Sequence, residues 1–276
     1  MEESRVTVML SDLSIGYTSK QKTTQVAGPL TASLESGELT CLLGPNGVGK
    51  STLLRTLAAF QKPLSGQMEL LVGAEHSNLS LLSSSALSKL IGVVLTEKPD
   101  VRQMTVWELV AMGRQPYTGF WGRLSSKDRD VVDESMRMVG IDALRERMVN
   151  TLSDGERQKV MIAKVLAQQT PIIYLDEPTA FLDYPSKVDS MLLLKYISHD
   201  YGKTVLLSTH DLELALQVAD KVWLMTKDGG LQIGPPHELA RQGMLSRFIE
   251  RRQGVVFDAE TMSVRVAKDS VGYPRL

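Results

Sequence analysis

The first part of the chain, residues 6–34, carries short segments in which apolar and polar positions alternate. A period of two places the apolar side chains on one face of an extended strand. The alternation is broken at Gly16 and at Gly28-Pro29, residue types that are typical of turns. The pattern therefore predicts antiparallel strands joined by turns.

The remainder of the chain alternates short apolar runs with segments of helical periodicity. Apolar residues recur at helical spacing in residues 50–60, 186–200 and 212–219. Continuous apolar runs that predict buried strands lie at residues 39–43, 91–95, 172–175, 204–207 and 222–225. Strands that alternate with helices predict a parallel sheet flanked by helices, and so an α/β fold.

A long helical stretch interrupts this alternation. Residues 105–113 and 127–139 have helical periodicity, and no strand pattern returns before Ile172. A loop with aromatic and basic side chains, residues 114–121, separates the two helices. We therefore predict an inserted helical subdomain at about residues 97–152.

Two segments carry weaker patterns. The serine-rich residues 77–88 are predicted to be a solvated loop. Periodicity fades beyond residue 250, so residues 251–276 are expected to form either a small hairpin or a loosely held strap, of unassigned role.

Composition narrows the classes of protein that remain. The 276 residues are 43% hydrophobic and 23% charged, with a formal net charge of -1, which is ordinary for a globular protein and gives no general attraction to nucleic acid or anionic lipid. Apolar runs are far shorter than the ~20 residues of a membrane helix, and the N-terminus lacks the apolar run of a signal peptide. A single cysteine, Cys41 in a predicted strand, excludes an internal disulfide. We expect a soluble protein in a reducing compartment, which reaches a membrane only through a protein partner.

A glycine-rich turn between a predicted strand and a predicted helix matches the phosphate-binding pattern Gly-x-x-x-x-Gly-Lys-Ser/Thr. The ATP-binding residues predicted here are Gly44, Pro45, Asn46, Gly47, Val48, Gly49, Lys50, Ser51 and the following Thr52. Backbone N–H groups of such a turn and the N-terminus of the next helix face the phosphates. Lys50 supplies a positive charge and Ser51 a hydroxyl for Mg²⁺. A plain glycine turn is the alternative, which the flanking strand and helix disfavour.

An apolar strand, residues 172–175, ends in two adjacent acids, Asp176 and Glu177. Carboxylates at the end of a buried strand indicate a bound cation or a reacting water, because unpaired buried charge is costly. We predict that Asp176 holds Mg²⁺ and that Glu177 polarises the attacking water. The alternative is a solvated strand end.

Residues 151–158, Thr-Leu-Ser-Asp-Gly-Glu-Arg-Gln, resemble the signature of ATP-binding-cassette (ABC) ATPases. Ser153 with Glu156 also matches a helix capping box, and the two interpretations are compatible. The resemblance implies that Ser153, Asp154, Gly155 and Glu156 face the γ-phosphate bound by a partner subunit. Asp154 stands where the family has its first signature glycine, and an acid near a triphosphate is unfavourable unless it points away.

Further residues agree with the family in order along the chain. By resemblance, Tyr17 is the aromatic residue that stacks on adenine, Asp183 belongs to the D-loop at the dimer interface, and His210 is the switch histidine that contacts the γ-phosphate. Core packing for Tyr17, a helix cap for Asp183 and a structural role for His210 are the alternatives. Together with Lys50 and Glu177, His210 completes the predicted catalytic set.

One position departs from the family. Members carry glutamine in the Q-loop after the strand at residues 91–95, whereas this chain reads Leu95-Thr96-Glu97. Thr96 is the candidate substitute, because its hydroxyl can reach Mg²⁺.

Residues 105–119 resemble a segment of importer ATPases for iron-siderophore complexes, haem and cobalamin. The resemblance implies an α/β P-loop NTPase core (ABC ATPase) in residues 1–250, with an antiparallel β edge and the helical subdomain. It implies ATP and Mg²⁺ as cofactors, a homodimer, integral-membrane permease subunits, indirectly a substrate-binding protein, and a cytoplasmic place on the inner face of the membrane. No nucleic-acid partner is expected. An exporter ATPase and a soluble ABC switch acting on ribosome or DNA are the alternatives.

Overall fold

The computed structural model describes residues 6–19, 22–72, 75–96, 101, 103–119, 121–250 and 254–266. Its strands are β1 (Val6–Thr18), β2 (Thr23–Glu35), β3 (Leu39–Leu43), β4 (Ser65–Val72), β5 (Glu75–Asn78), β6 (Ile91–Val94), β7 (Ile172–Asp176), β8 (Thr204–Ser208), β9 (Lys221–Met225), β10 (Leu231–Gly234), β11 (Val255–Asp258) and β12 (Ser263–Val266). Its α-helices are α1 (Lys50–Leu57), α2 (Ser84–Leu90), α3 (Val106–Ala111), α4 (Ser126–Met138), α5 (Asp154–Ala167), α6 (Tyr184–Asp200), α7 (Leu212–Val218), α8 (Pro236–Arg241) and α9 (Met244–Ile249). Short 3-10 segments lie at Leu79–Leu81, Met112–Tyr117, Asp142–Leu144 and Val149–Thr151.

Two sheets form the body of the protein. A four-stranded antiparallel sheet has the order β2-β1-β4-β5, and a six-stranded sheet has the order β10-β9-β3-β8-β7-β6. Within the larger sheet β9, β3, β8, β7 and β6 are parallel, and β10 pairs antiparallel with β9. The predicted α/β core with an antiparallel edge is therefore confirmed. Because these strands run in the same direction, their carboxyl ends lie at one edge of the sheet, together with the loops that leave them.

The six-stranded sheet is apolar on both faces, and alternate residues of β7 contribute to different cores. Ile172 and Tyr174 join the apolar cluster formed with α1 and the antiparallel sheet. Ile173 and Leu175 join a second cluster built mainly with the helices. Every residue of β7 is buried, which explains why it reads as a continuous apolar run rather than as an alternation.

The described part of residues 101–152 contains helices and 3-10 turns, with one isolated β-bridge between Thr105 and Met148. Helix α5 follows directly and packs against α3 and α4. Part of the predicted insert, including Glu97, lies outside the described residues.

The prediction of a solvated loop at residues 77–88 was wrong. The segment holds the end of β5, a 3-10 turn and the start of α2. Asn78 caps the turn by accepting a hydrogen bond from the Ser80 N–H, and Ser83 caps α2 by accepting one from the Ala86 N–H. Serine and asparagine are favoured at such caps, so the composition marked helix starts rather than a loop.

The first predicted helix ends at Leu57, before residue 60. The sequence patterns did not predict strands β4 and β10 or helices α8 and α9. Of the two forms expected for the tail, the structure has the hairpin, β11 paired with β12. Phe257 of that hairpin is buried, and the Val264 N–H donates to the Glu213 carboxylate of α7 at 2.7 Å. None of the described helices has the length and apolarity needed to cross a membrane.

Candidate nucleotide-binding site

The glycine turn connects the buried strand β3 to helix α1. Gly49 precedes the first helical residue with a φ of 111°, a left-handed conformation that disfavours other residues. A Cβ at this position would lie 2.6 Å from a Val26 methyl group, so the approach of β2 also requires glycine. The turn thus leaves the N–H groups of the first turn of α1 directed at the edge of the sheet, where an anion can accept them.

Lys50, the first residue of α1, lies back over this turn. Its ammonium donates to the Gly44 carbonyl at 2.8 Å and to the Pro45 carbonyl at 3.3 Å. The side chain is buried, and burial lowers the pKa of Lys50, against the opposing effect of the carboxylates of Glu177 and Asp176. These carbonyl acceptors are neutral, and a phosphate would bind the ammonium more strongly because it is an anion.

Asp176, the last residue of β7, is buried and accepts two hydroxyl hydrogen bonds on the same oxygen. Ser51 Oγ lies 3.2 Å and Ser208 Oγ 2.7 Å from Asp176 Oδ1. The side chains of α1, β7 and β8 therefore meet at one carboxylate. Hydroxyl and carboxylate oxygens are the donors that Mg²⁺ takes from proteins, usually one or two of them beside substrate phosphates. The residues present fit that ion. Among the described residues, no group of three or more His, Cys, Asp or Glu is arranged to hold a metal ion by itself.

Glu177 follows with a φ of 51°, an uncommon left-handed conformation for a residue with a side chain. Its Oε1 lies 2.6 Å from His210 Nε2, and its backbone N–H donates to Ser208 Oγ at 2.9 Å. About half of the His210 side chain is exposed. A carboxylate and an imidazole in contact at the mouth of a cleft can together orient a water and accept its proton.

These side chains enclose a cleft of about 460 Å³, within the range of roughly 300–1,000 Å³ typical of small-molecule sites. The residues that line it are Tyr17, Val26, Asn46, Gly47, Gly49, Lys50, Ser51, Thr52, Glu177 and His210. The Tyr17 ring is half exposed, and its hydroxyl lies 2.7 Å from Thr52 Oγ1. An exposed aromatic side chain at the edge of a cleft of this size offers a stacking surface to a base.

Some predicted residues lie beside the cleft rather than in it. The Gly44 and Pro45 carbonyls hold Lys50 from below, and Val48 is buried in the apolar core. Thr96 Oγ1 donates to the Asp176 carbonyl at 2.9 Å. Asp183 caps α6 by accepting from the Ser186 N–H at 3.1 Å, as its alternative interpretation proposed.

The signature residues form the N-terminus of α5 as a complete capping box. Ser153 Oγ accepts from the Glu156 N–H at 3.3 Å, and the Glu156 carboxylate accepts from the Ser153 N–H at 2.8 Å. The hydrogen bond from the Ser153 N–H lowers the pKa of Glu156. Among the described residues that line the nucleotide cleft, none comes from Ser153 to Glu156. Asp154 instead borders a small cavity of about 40 Å³ together with Thr96, Asp176 and Glu177.

Two residues of the site were missed by the sequence analysis. Val26 lines the cleft from β2, and Ser208 touches both acids. Ser208 lies two residues before His210 in the sequence, and this proximity could have indicated a place for Ser208 at the site.

A strand–glycine turn–helix element, a lysine over the turn and a pair of acids at the carboxyl edge of a parallel sheet define a phosphate-loop nucleotide-binding protein. Residues 28–180 match the sequence model of a family described as ABC transporter. The chain belongs to this family. It is the subunit of an ABC transporter that binds and hydrolyses ATP.

Individual relatives agree over most of the chain. An uncharacterized ABC transporter ATP-binding protein of Methanocaldococcus jannaschii is 37% identical over 87% of this chain and 80% of the relative. The ferric enterobactin transport ATP-binding protein of Escherichia coli is 34% identical over 94% of this chain and 92% of the relative. A dimeric bacterial ABC transporter cassette of known structure superposes with a TM-score of 0.70 at 26% identity, covering 83% of this chain and 98% of that cassette.

Proposed function

We propose that this subunit energises the import of an iron complex, haem or cobalamin through a separate membrane permease. The observation that carries the proposal is the 34% identity to the ferric enterobactin transport protein over nearly the full length of both chains. The importer-like segment at residues 105–119 supports it. No described feature favours the two alternatives, an exporter ATPase or a soluble switch on ribosome or DNA.

Within the cleft, the first turn of α1 and the ammonium of Lys50 bind the β- and γ-phosphates. Tyr17 stacks on adenine. Ser51, Asp176 and Thr96 supply the oxygens that would hold Mg²⁺, which when bound neutralises the charge that develops on the phosphates. Glu177 orients the attacking water and takes its proton, while His210 holds the Glu177 carboxylate from 2.6 Å away. Catalysis is then positioning and electrostatic stabilisation of an in-line attack.

Two copies of the chain would face each other and enclose two ATP molecules. The cleft of one copy would receive the N-terminus of α5 from the other, where Ser153, Asp154, Gly155 and Glu156 meet the γ-phosphate. A capped helix N-terminus carries partial positive charge and so favours an anion. Asp183 would lie at the same interface. The dimeric cassette that resembles this chain supports the arrangement.

The domain of residues 1–250 would then work at the cytoplasmic face of the membrane, docked on permease subunits and serving a substrate-binding protein indirectly. The hairpin after residue 250 is an appended extension. Dimer closure on ATP and reopening after hydrolysis would drive the permease.

The chemical proposal is tested with Glu177→Gln. We expect turnover to fall by about 10²–10⁴-fold, because the general base is lost while the shape of the side chain is kept. ATP binding, followed with a fluorescent analogue, should persist, and the closed dimer should accumulate on size-exclusion chromatography. Near-normal ATPase activity in this variant would refute the assignment of Glu177.

The transport proposal is tested by affinity purification of the tagged protein from gently solubilised membranes of its own organism, followed by mass spectrometry. Recovery of a polytopic permease and a substrate-binding protein supports import and narrows the cargo. Recovery of ribosomal or DNA-associated proteins from the soluble fraction alone would favour the soluble switch instead.

A further inference from the structure

Ser208 lies at the end of β8, directly opposite Asp176 in the parallel pairing of β7 with β8. Its side chain is completely buried. The Oγ atom lies 2.7 Å from Asp176 Oδ1 and 2.9 Å from the backbone nitrogen of Glu177. A hydroxyl has one hydrogen to donate, and an amide nitrogen can only donate. Ser208 therefore donates to the Asp176 carboxylate and accepts from the Glu177 N–H.

The acceptor contact bears on the conformation of Glu177. At a φ of 51° this residue occupies a sparsely populated backbone region, which persists only where the surrounding structure enforces it. The Glu177 N–H donates to Ser208 Oγ, which holds the peptide plane from which this φ departs. The side chain of the same residue contacts His210.

The donor contact bears on Asp176. Both Ser51 and Ser208 donate to Oδ1, and neither contact uses Oδ2. The carboxylate is therefore held by one oxygen from two sides, in a buried position where an alternative rotamer would lose both bonds.

We propose that Ser208 is a positioning residue for ATP hydrolysis, which fixes the orientation of Asp176 and the strained backbone of Glu177 through one hydroxyl. The inference rests on the proposed roles of these two acids. Ser208 does not touch the reacting atoms, and its effect on turnover passes through Asp176 and Glu177.

The test compares Ser208→Ala with Ser198→Ala. Ser198 is an equally buried serine in α6, whose hydroxyl donates to the Lys195 carbonyl at 2.8 Å, away from the cleft. We expect Ser208→Ala to lower kcat roughly 10- to 100-fold, the loss that corresponds to a hydrogen bond with a charged group, while the Kd for a fluorescent ATP analogue stays within about twofold. Ser198→Ala should leave kcat unchanged, and Ser208→Thr, which keeps the hydroxyl, should retain more activity than Ser208→Ala.

Two further readouts separate positioning from general destabilisation. Hydrogen–deuterium exchange of the nucleotide-free protein should become faster at the Glu177 amide in Ser208→Ala and not in Ser198→Ala. In a Glu177→Gln background, Ser208→Ala should lower the residual turnover by a smaller factor than it lowers that of the unmutated protein, because the part of its effect that passes through Glu177 is already lost.

The outcomes separate the positioning role of Ser208 from the catalytic role of Glu177. If Glu177→Gln abolishes turnover and Ser208→Ala behaves like Ser198→Ala, the positioning role is wrong and the proposed function stands. If Glu177→Gln keeps its turnover, the proposed catalytic role of Glu177 fails first, and the positioning role of Ser208 with it. Unchanged exchange at the Glu177 amide would also overturn the inference.

Discussion

Two regions of the protein bury charged side chains, and they do so in opposite ways. At the carboxyl edge of the six-stranded sheet, Lys50 and Glu177 face an open cleft and are held by groups that a ligand can replace or join. In the helical region, Arg114 and Asp128 are buried against each other at 2.9 Å, with partners supplied from within the protein.

The Arg114 network, comprising Arg114, Tyr117, Asp128 and the carbonyl groups of Ala167 and Gln169, ties three elements together. Besides Asp128, Arg114 donates to the Ala167 carbonyl at 2.8 Å and to Gln169 Oε1 at 2.9 Å. The Tyr117 ring lies 4.0 Å from the guanidinium carbon. Hydrogen bonds from Ser125, with a smaller contribution from Arg114, hold the pKa of Asp128 below its usual range.

Close packing completes this region. A Cβ on Gly113 would lie 2.2 Å from the Lys164 carbonyl, so the turn before Arg114 approaches α5 as glycine alone permits. The Gly-Arg-x-Pro-Tyr segment thus fastens the C-terminal end of α5 to the start of α4. A charge whose partners all lie inside the fold thus serves the structure, whereas a charge that faces a cleft is available for chemistry.

The largest effect should come from Arg114→Ala. Removing one partner of a buried ion pair destabilises a protein by about 3–5 kcal/mol, because the remaining charge stays buried. Denaturant unfolding of the nucleotide-free protein measures the loss. As the matched control, Arg145→Ala removes a pair with Asp133 that is one-third exposed, and should cost at most about 1 kcal/mol. Equal losses in the two variants would erase the contrast between the regions.

Lys50→Ala should have a smaller effect, on nucleotide binding rather than on stability. The variant should bind a fluorescent ATP analogue roughly 10- to 100-fold more weakly, since charge-assisted hydrogen bonds are worth about 1.5–3 kcal/mol. Its unfolding free energy should change little, because the ammonium bonds only to carbonyls of the turn. Lys127→Ala, an exposed lysine of α4, serves as the control. If Lys50→Ala were strongly destabilised, Lys50 would have a structural role like that of Arg114.

The smallest effect tests Thr96. If its hydroxyl ligates Mg²⁺, Thr96→Val should raise the Mg²⁺ concentration for half-maximal hydrolysis about fivefold, equivalent to about 1 kcal/mol, while Thr96→Ser should not. The hydroxyl already donates to the Asp176 carbonyl, which leaves its lone pairs for a cation. An unchanged Mg²⁺ dependence in Thr96→Val would limit Thr96 to a structural role.

The two regions also differ in how far the sequence predicts them. The phosphate-binding turn is local, since a strand, glycines and a helix follow one another within residues 39–57, and its pattern was sufficient. The contact of Ser208 with Asp176 depends on the pairing of β7 with β8, which joins residues 32 positions apart. Arg114 meets Gln169 across 55 positions. Periodicity assigns faces to elements and does not say which elements are neighbours.

Composition misled at residues 77–88 for a related reason. Serine content alone cannot distinguish a loop from a helix start, and the distinction came from single side chains such as Ser83. The proposed contact of the signature would lie in another copy of the chain, which no pattern within one chain can place. The capping box of Ser153 and Glu156 was predictable, since it closes within three residues.

The two ends of helix α5 have different surroundings. Its C-terminal end lies beside the Arg114 network, and its N-terminal end carries the capping box of Ser153 and Glu156. A helix of 14 residues is roughly 20 Å long. A tilt of about 10° around its C-terminal end would therefore move its N-terminus by about 3–4 Å, more than the length of a hydrogen bond. The packing around Arg114 would then limit how far the N-terminus of α5 can move, although the two lie at opposite ends of the helix.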